Sequence, residues 1–359
     1  MLNNKIIDEK INNNLYQIPK KEKKIIFEKK VKDLTSYHLS RCQIYNKIIG
    51  DIYPEFNSKV KGLDNLPMIP VRLFKHIDLM SVRHDQVYRK LLSSGTSSNA
   101  LSRIYLDKEN AQNQIKALNK IFSSMVTEKR YPMLIIANEK EVSNQSLFNA
   151  QKAAILGFSI FSKKNYYLLD QYNRINLRLL KKFSEVVKDT PFFIFGFTSK
   201  IYENFFQKLK KEKKIFKNAI LIHGGGWKKL ESLKIDNSKF KKLLKEKFNI
   251  SKVINYYGLV EQTGSIFIES EKCGYFHTSS FSDVLIRDQN FKVLKNKQKG
   301  LIQLISLLPT SYPGHNILTE DLGEILGEDD CKCGLKGKYF KVHGRIKKAE
   351  IRGCGNIND

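Results

Sequence analysis

Tryptophan occurs once in this chain of 359 residues and proline only eight times. Proline-rich linkers and stalks are therefore excluded. No internal repeat, heptad run or low-complexity segment interrupts the sequence, which argues against solenoids and coiled coils. Long hydrophobic runs are also missing. Stretches such as PMLIIA (Pro132–Ala137) and FFIFGF (Phe192–Phe197) fall far short of the roughly 20 residues that a membrane-spanning helix needs. The opening MLNNKIIDEKINNN has no apolar h-region of a secretory signal. Cysteine is scarce, five in all, an odd number that argues for reduced thiols rather than a disulfide framework. Together these absences predict a cytoplasmic protein.

Acidic residues are few as well: 36 Asp and Glu against 63 Lys and Arg, a formal charge of +27. Such an excess first suggests nucleic acid or an anionic surface. The lysines, however, are spread along the whole chain among Asn and Ile, as in KKEKKIIFEKKVK, without a stripe of interleaved stacking aromatics. A solvated basic surface is the simpler reading, and it still favours polyanionic ligands such as ATP or an acidic partner. What the chain does have is 41% hydrophobic and 11% aromatic residues, enough to bury a proper core.

Along the chain the patterning changes twice. Residues 1–90 read as a mainly helical segment packed on the main domain, with lysine-rich amphipathic stretches at Lys20–Leu34 and Leu39–Ile49, then the Pro-punctuated passage LPMIPVRLFK (Leu66–Lys75). Residues 91–264 alternate short apolar strands with helical stretches. Strands are predicted at Met133–Ala137, Phe192–Phe195, Ala219–Ile222 and Val253–Tyr256, and helices at Leu147–Leu156, Lys200–Lys211 and Lys239–Phe248. That alternation marks an α/β core with buried, largely parallel strands. Residues 265–359 lose the helical period, and SIFIES, SDVLIRD, GLIQLISLL and EILG read as a β-rich subdomain ending in a short motif segment.

Chemistry-bearing residues sit at the ends of these strands. LLSSGTSSNALSR (Leu91–Arg103) surrounds a glycine with small hydroxyl residues, which leaves backbone N–H groups and hydroxyls free to donate to phosphate. No Gly-Lys-Ser/Thr closes it, so it is not a Walker A loop; a plain Ser/Gly turn is the alternative. In AILIHGGGWK (Ala219–Lys228) an apolar strand runs into His223, three glycines, the single Trp227 and Lys228. Successive glycines at a strand's carboxyl end let a flat ligand approach the backbone; a tight turn beside a core tryptophan is the bland counterpart. VINYYGLVEQTGS (Val253–Ser265) repeats the strand-then-glycine pattern and adds Glu261, a hard oxygen ligand suited to Mg²⁺.

Toward the C-terminus, Asp321 in LTEDLGEI can accept both hydroxyls of a ribose, and HGRIKKAEIRGCGN brings Arg345, Lys347, Lys348, Arg352 and Cys354. Cations beside a cysteine favour its thiolate, the nucleophilic form; an inert exposed thiol is the competing reading. Separately, Cys273-x-x-x-His277 and Cys331-x-Cys333 form a Cys₃His structural zinc set if the fold joins the two halves. Neither half has the CxxC form, and unrelated thiols are the alternative.

SSGTSSNALSRIYLD, AILIHGGGWK, NYYGLVEQTGSIF, GYFHTSSFSDVLIRD, SYPGHNILTEDLGE and GRIKKAEIRGCGN together resemble the adenylate-forming ligases. The resemblance is closest to the acyl-protein synthetase family of bacterial bioluminescence (LuxE type), in family order over roughly residues 70–359. It implies an α/β adenylate-forming-enzyme-like N-terminal domain with a β-rich C-terminal subdomain, lacking the full mobile C-terminal domain. It implies that Ser93, Ser94, Gly95, Thr96 and Ser97 hold phosphates and that Gly224, Gly225 and Gly226 border adenine. Tyr257, Gly258 and Glu261 would border the α-phosphate and Mg²⁺, and Asp321 with Arg345 would hold the ribose. Cys354 matches the cysteine that takes the acyl group before a partner fatty acyl reductase receives it. The implied activity is ATP-dependent activation of a long-chain fatty acid to acyl-AMP, followed by a thioester on the enzyme.

Two departures stand out. Val260 occupies the place where the superfamily usually has Thr, and the chain ends soon after Arg345, where other members continue into a lysine-bearing domain. Lys228, Lys347 or Lys348 can supply that cation. The competing functions are a phenylacetate-CoA-ligase-like enzyme, an acyl-activating enzyme of surface polysaccharide synthesis, a nucleic-acid-binding protein with salt-sensitive affinity, and a scaffold that binds ATP without turnover.

Overall fold

The computed structural model describes residues 9–57, 59–93, 101–143, 150–210, 214–226, 233 and 235–346. After Pro19, which has extended backbone at the N-cap, a single helix runs from Lys20 to Arg41. Phe27, Val31, Leu34 and His38 are buried along it at i, i+4, i+7 and i+11, one face of a 3.6-residue period. The sequence predicts a junction between Leu34 and Leu39, but the helix continues to Arg41 and the chain turns at Cys42 before the helix Gln43–Ile52. Polar residues extend the buried face there because they find internal partners: the Thr35 hydroxyl donates to the Val31 carbonyl at 2.8 Å, and His38 contacts the Ser81 hydroxyl at 2.7 Å.

The strands in chain order are β1 (Ile69–Pro70), β2 (Arg89–Leu92), β3 (Arg103–Leu106), β4 (Tyr131–Asn138), β5 (Ser162–Leu169), β6 (Phe192–Phe197) and β7 (Ala219–Gly224). They continue with β8 (Lys252–Tyr257), β9 (Phe267–Ile268), β10 (Phe276–His277), β11 (Ser282–Arg287), β12 (Gly300–Ser306), β13 (Asn316–Glu328) and β14 (Lys338–Arg345). Among the described residues one sheet runs β5-β4-β6-β7-β8-β9, parallel except for β9, which is antiparallel to β8.

Its central strands are apolar at consecutive positions because both faces are covered. Met133, Ile135 and Ala137 of β4 enter one core while Leu134 and Ile136 enter another; Phe193 and Phe195 of β6 join the first, Phe192 and Ile194 the second. The helices Lys108–Met125 and Ala150–Ser159 supply Phe122, Ile155 and Phe158 to the first core, and Leu177–Val187 and Asn237–Phe248 supply Phe183 and Phe240 to the second. The expected helix from Lys200 to Lys211 is instead a short α-turn, Thr198–Lys200, followed by a π-turn, Ile201–Phe206. Ile201 seats against Gly196, where a Cβ would come within 2.9 Å of it.

The second sheet, among the described residues, runs β10-β14-β13-β12-β11, with β1 parallel to β13 through Ile69–Ile317 and Pro70–Leu318. A third core lies against it, built from Val284, Ile286, Ile302, Leu304, Ile317 and Phe340 with Tyr45, Ile49 and Phe74. The fold class expected from the sequence is the one observed: an α/β sheet followed by a β-rich portion. In the parallel sheet β5 lies on one side of β4 and β6, β7 and β8 on the other. Crevices beyond the carboxyl ends of such strands are where open α/β sheets bind ligands.

Candidate active site

The carboxyl ends of β6, β7 and β8 carry the turns Phe197–Thr198, Gly224–Gly226 and Tyr257–Gly258. At the end of β7, Gly225 has φ +76, a conformation that favours glycine, and a Cβ there would lie 2.8 Å from the Phe197 ring. Gly224 has the Tyr256 ring so close that a Cβ would meet it at 2.5 Å. Gly225 and Gly226 are exposed, so backbone is presented to solvent. The Thr198 hydroxyl donates to the Gly224 carbonyl at 3.1 Å, which leaves its oxygen to accept from His223 Nδ1–H at 2.9 Å. Neither Thr198 nor His223 was identified as a site residue from the sequence; both buttress the glycine turn from below.

Tyr257 closes β8, and its hydroxyl donates to Asp321 Oδ2 at 2.7 Å across to the second sheet. Asp321 and Arg345 are register partners on β13 and β14, and Arg345 Nε donates to Asp321 Oδ1 at 3.2 Å. Asp321 is buried while Arg345 is exposed, so the carboxylate is held from inside and covered by a cation from outside. Burial and the Asp321 charge push the Tyr257 phenol well above its ordinary pKa, so it stays a neutral donor. A carboxylate offers about four lone-pair sites. Two are used here, which leaves capacity for a pair of neighbouring hydroxyls.

Glu261 lies on a 3₁₀ turn, Val260–Gln262, and is buried. The Tyr312 hydroxyl donates to its carbonyl at 2.8 Å, and Gln262 Nε2 donates to the Gly314 carbonyl at 2.7 Å. Gly314 has to be glycine or something must move, since a Cβ would sit 2.7 Å from the Glu261 carbonyl oxygen. Burial raises the Glu261 carboxyl above its ordinary value, opposed by the Ser102 hydroxyl, Arg345 and Lys75. A buried carboxyl whose charge these cations only partly compensate is a fitting Mg²⁺ ligand, because the ion would restore the ionised form.

Ser93 ends the β2 side of a hairpin. Its N–H donates to the Ser102 carbonyl at 3.0 Å, and the Ser102 N–H donates to the Ser93 hydroxyl at 2.8 Å. The two serines pinch together the ends of the expected phosphate loop, whose Ser94, Gly95, Thr96 and Ser97 lie outside the described residues. So do Trp227, Lys228, Lys347, Lys348, Arg352 and Cys354. The Ser102 hydroxyl at the loop base and the Arg345 charge both act on the Glu261 carboxyl, which brings three of the expected motifs near one another.

Lys75 and Ser102 are further site residues that sequence reasoning did not single out. Lys75 ends the Pro-punctuated passage that β1 aligns beside β13, and Ser102 ends the serine-rich stretch; the two passages themselves were the available signal. Elsewhere, Cys273, His277, Cys331 and Cys333 converge, with their ligand atoms all within 4.8 Å of one another.

A profile of the family described as acyl-protein synthetase, LuxE, matches residues 2–359. The long-chain-fatty-acid–luciferin-component ligase of Vibrio harveyi is 21% identical over 338 residues, covering 90% of this chain and 86% of that protein. Its namesake from Aliivibrio fischeri is 20% identical over 349 residues, covering 93% and 88%. A crystal structure of 2-hydroxyisobutyryl-CoA ligase, in an open conformation with 2-HIB-AMP and CoA, superposes with a TM-score of 0.70 at 14% identity, covering 93% of this chain and 77% of that one. That likeness is one of fold. With the family profile spanning nearly the whole length, the chain belongs to the acyl-protein synthetase family, LuxE, and is an ATP-dependent acid ligase of adenylate-forming fold.

Proposed function

We propose that this chain activates a long-chain fatty acid with ATP, holds the acyl group as a thioester on Cys354 and passes it to a fatty acyl reductase. The observation that carries the nucleotide half is the Tyr257–Asp321–Arg345 cluster beside Glu261. Asp321 accepts the ribose hydroxyls with its remaining lone pairs while Tyr257 and Arg345 fix its orientation. The glycine turn Gly224–Gly226 lets adenine lie against backbone, and Ser93–Ser97 donate to the phosphates. Mg²⁺ at Glu261 would neutralise phosphate charge.

In the first step a carboxylate oxygen attacks the α-phosphorus, the bond to the β-phosphate breaks, and pyrophosphate leaves with the electron pair. In the second, the Cys354 thiolate attacks the acyl carbonyl and AMP departs. Lys228, Lys347, Lys348 and Lys75 are the cations from which charge on the pentavalent phosphorus can be balanced. The fatty-acid substrate is supported by the names borne by the Vibrio and Aliivibrio relatives, and a protein acceptor by the family's description as acyl-protein synthetase.

ATP–pyrophosphate exchange over a panel of carboxylic acids tests this. The expected result is exchange with long-chain acids and a denaturation-stable, hydroxylamine-labile label from the radioactive acid. Exchange accompanied by rapid acyl-CoA formation would replace the protein acceptor by coenzyme A, and absence of exchange in folded, ATP-binding protein would overturn the adenylation. Within the same assay, Tyr257→Phe should raise the KM for ATP by about tenfold with kcat little changed. A hydrogen bond to a charged group contributes roughly 1.5–3 kcal/mol, and about 1.4 kcal/mol is tenfold in affinity.

A further inference from the structure

We propose that Cys273, His277, Cys331 and Cys333 bind one structural zinc ion that clasps the crossing between the two sheets. Cys273 lies in the turn that leads from β9, the last strand of the first sheet, to β10 in the second sheet, and His277 lies in β10 itself. Cys331 and Cys333 lie in the connection from β13 to β14. Pairing of β10 with β14, His277 opposite Tyr339, brings the two connections together. Each is tightened around a left-handed glycine: Gly274 (φ +76) donates to the Ser270 carbonyl at 2.7 Å, and Gly334 (φ +85) to the Cys331 carbonyl at 2.9 Å.

The donor atoms form a closed set. His277 Nε2 lies 3.3 Å from both Cys273 Sγ and Cys333 Sγ, and Cys333 Sγ lies 3.3 Å from Cys331 Sγ. A disulfide would need about 2.05 Å between sulfurs. Zinc at about 2.3 Å from sulfur and 2.0–2.1 Å from nitrogen, in tetrahedral geometry, separates its ligands by roughly 3.5–3.8 Å, so the ion fits once these atoms part by a few tenths of an ångström. His277 is fully buried and its Nδ1 has no hydrogen-bond partner, so Nε2, facing the sulfurs, makes the ring's polar contacts. Three of the chain's five cysteines gather at this one point.

Three thiolates and one imidazole select a borderline-soft tetrahedral ion, and four protein ligands leave no open position for catalysis. Such a centre carries one net negative charge. Lys23, buried on the first long helix, is placed to meet it: its Nζ donates to the Thr278 hydroxyl at 2.9 Å and to the Ser279 carbonyl at 2.8 Å, directly after His277. The clasp thus holds three things at once: the crossover between the sheets, the N-terminal helix, and one end of the β13–β14 hairpin. Asp321 and Arg345 lie at that hairpin's other end.

Elemental analysis of the purified full-length protein tests the proposal without any assay of ligation. The expected content is about one zinc per chain. Cobalt-exchanged protein should show tetrahedral ligand-field bands and a thiolate-to-cobalt charge-transfer band. Cys331→Ser with Cys333→Ser should lose the metal, Cys42→Ser should keep it, and His277→Cys should keep it as a four-cysteine site. If the double variant fails to fold, the wild-type metal content and the cobalt spectrum decide alone. Metal-free wild-type protein that takes up no cobalt overturns the site, as does zinc retained in the double variant or lost in a folded His277→Cys.

Discussion

Serine in place of Cys354 is expected to reduce the acyl-enzyme label by orders of magnitude while ATP–pyrophosphate exchange stays within about twofold of wild type. The two halves of the reaction use different atoms. Exchange would use the nucleotide contacts proposed for Asp321, Tyr257 and Glu261, none of which involves the thiol. Transfer requires a nucleophile that is ionised near neutral pH. An unperturbed cysteine has a pKa of about 8.5, and neighbouring cations lower it; Lys347, Lys348 and Arg352 stand within a few positions of Cys354. A serine hydroxyl in the same place has no base assigned to it, and loss of a covalent nucleophile removes the step it performs. Labelling with radioactive acid, denaturing gel analysis and hydroxylamine release read the first effect, and exchange of labelled pyrophosphate reads the second. A label undiminished in Cys354→Ser would move the acceptor to another residue. Loss of exchange as well would place Cys354 in the adenylation half.

Much of the fold was legible because the central strands are buried on two faces. Runs such as FFIFGF and MLIIA cannot alternate with polar residues when both neighbours along the strand enter a core, so they stand out from the surrounding Lys and Asn. Glycines following these runs marked the carboxyl ends, and the helix expected from Lys239 starts at Asn237, where the Asp236 side chain accepts from the Lys239 N–H. What the sequence hid was pairing over long range. Nothing local in LPMIPVRLFK says that Ile69 lies beside Ile317, yet that pairing carries Lys75 toward Glu261. Tyr257 and Asp321 were each assignable to the nucleotide, but the bond joining them depends on how two sheets meet. The Cys-His set was legible as two halves; only the β10–β14 ladder unites them. The polar continuation of the first helix was missed for a related reason, since Thr35 and His38 count as solvent-facing until their buried partners are known.

Those buried histidines predict a steep acid limit to stability. His38 and His315 stack at 4.9 Å between ring centroids, fully buried. His38 Nε2 faces the Pro309 carbonyl at 3.2 Å, which can only accept, so this nitrogen carries the proton and Nδ1 accepts from Ser81. The Thr35 hydroxyl already donates to Val31, so His315 Nε2–H donates to it at 2.9 Å. Both rings are therefore neutral. Burial pushes His38 down from 6.5 to about 3, and pushes His315 well below its ordinary value with His38 adding to the effect. His223 is pushed down to about 3 by burial, with Lys241 adding and Asn237 opposing. Above about pH 6.5 each histidine is neutral folded or unfolded and contributes no pH dependence. As pH falls below that value the unfolded chain binds a proton at each ring and the folded chain does not, so stability is lost. The slope is about 1.4 kcal/mol per pH unit for each histidine, hence about 4 for the three. Between pH 6.5 and pH 4 that removes up to about 10 kcal/mol of the roughly 5–15 kcal/mol a domain holds in total, so most or all of the stability should be gone by pH 4. Other shifted groups do not cancel this. Lys23, lowered to about 8, stays protonated in both states throughout the acid range, and the raised carboxyls of Glu261 and Asp107 oppose the loss only nearer the ordinary carboxylate range. Urea unfolding at intervals from pH 8 to pH 5 measures the slope, and His38→Gln should lower it by about one third. A flat stability curve below pH 6.5 in the wild-type protein would mean that these rings become protonated within the fold.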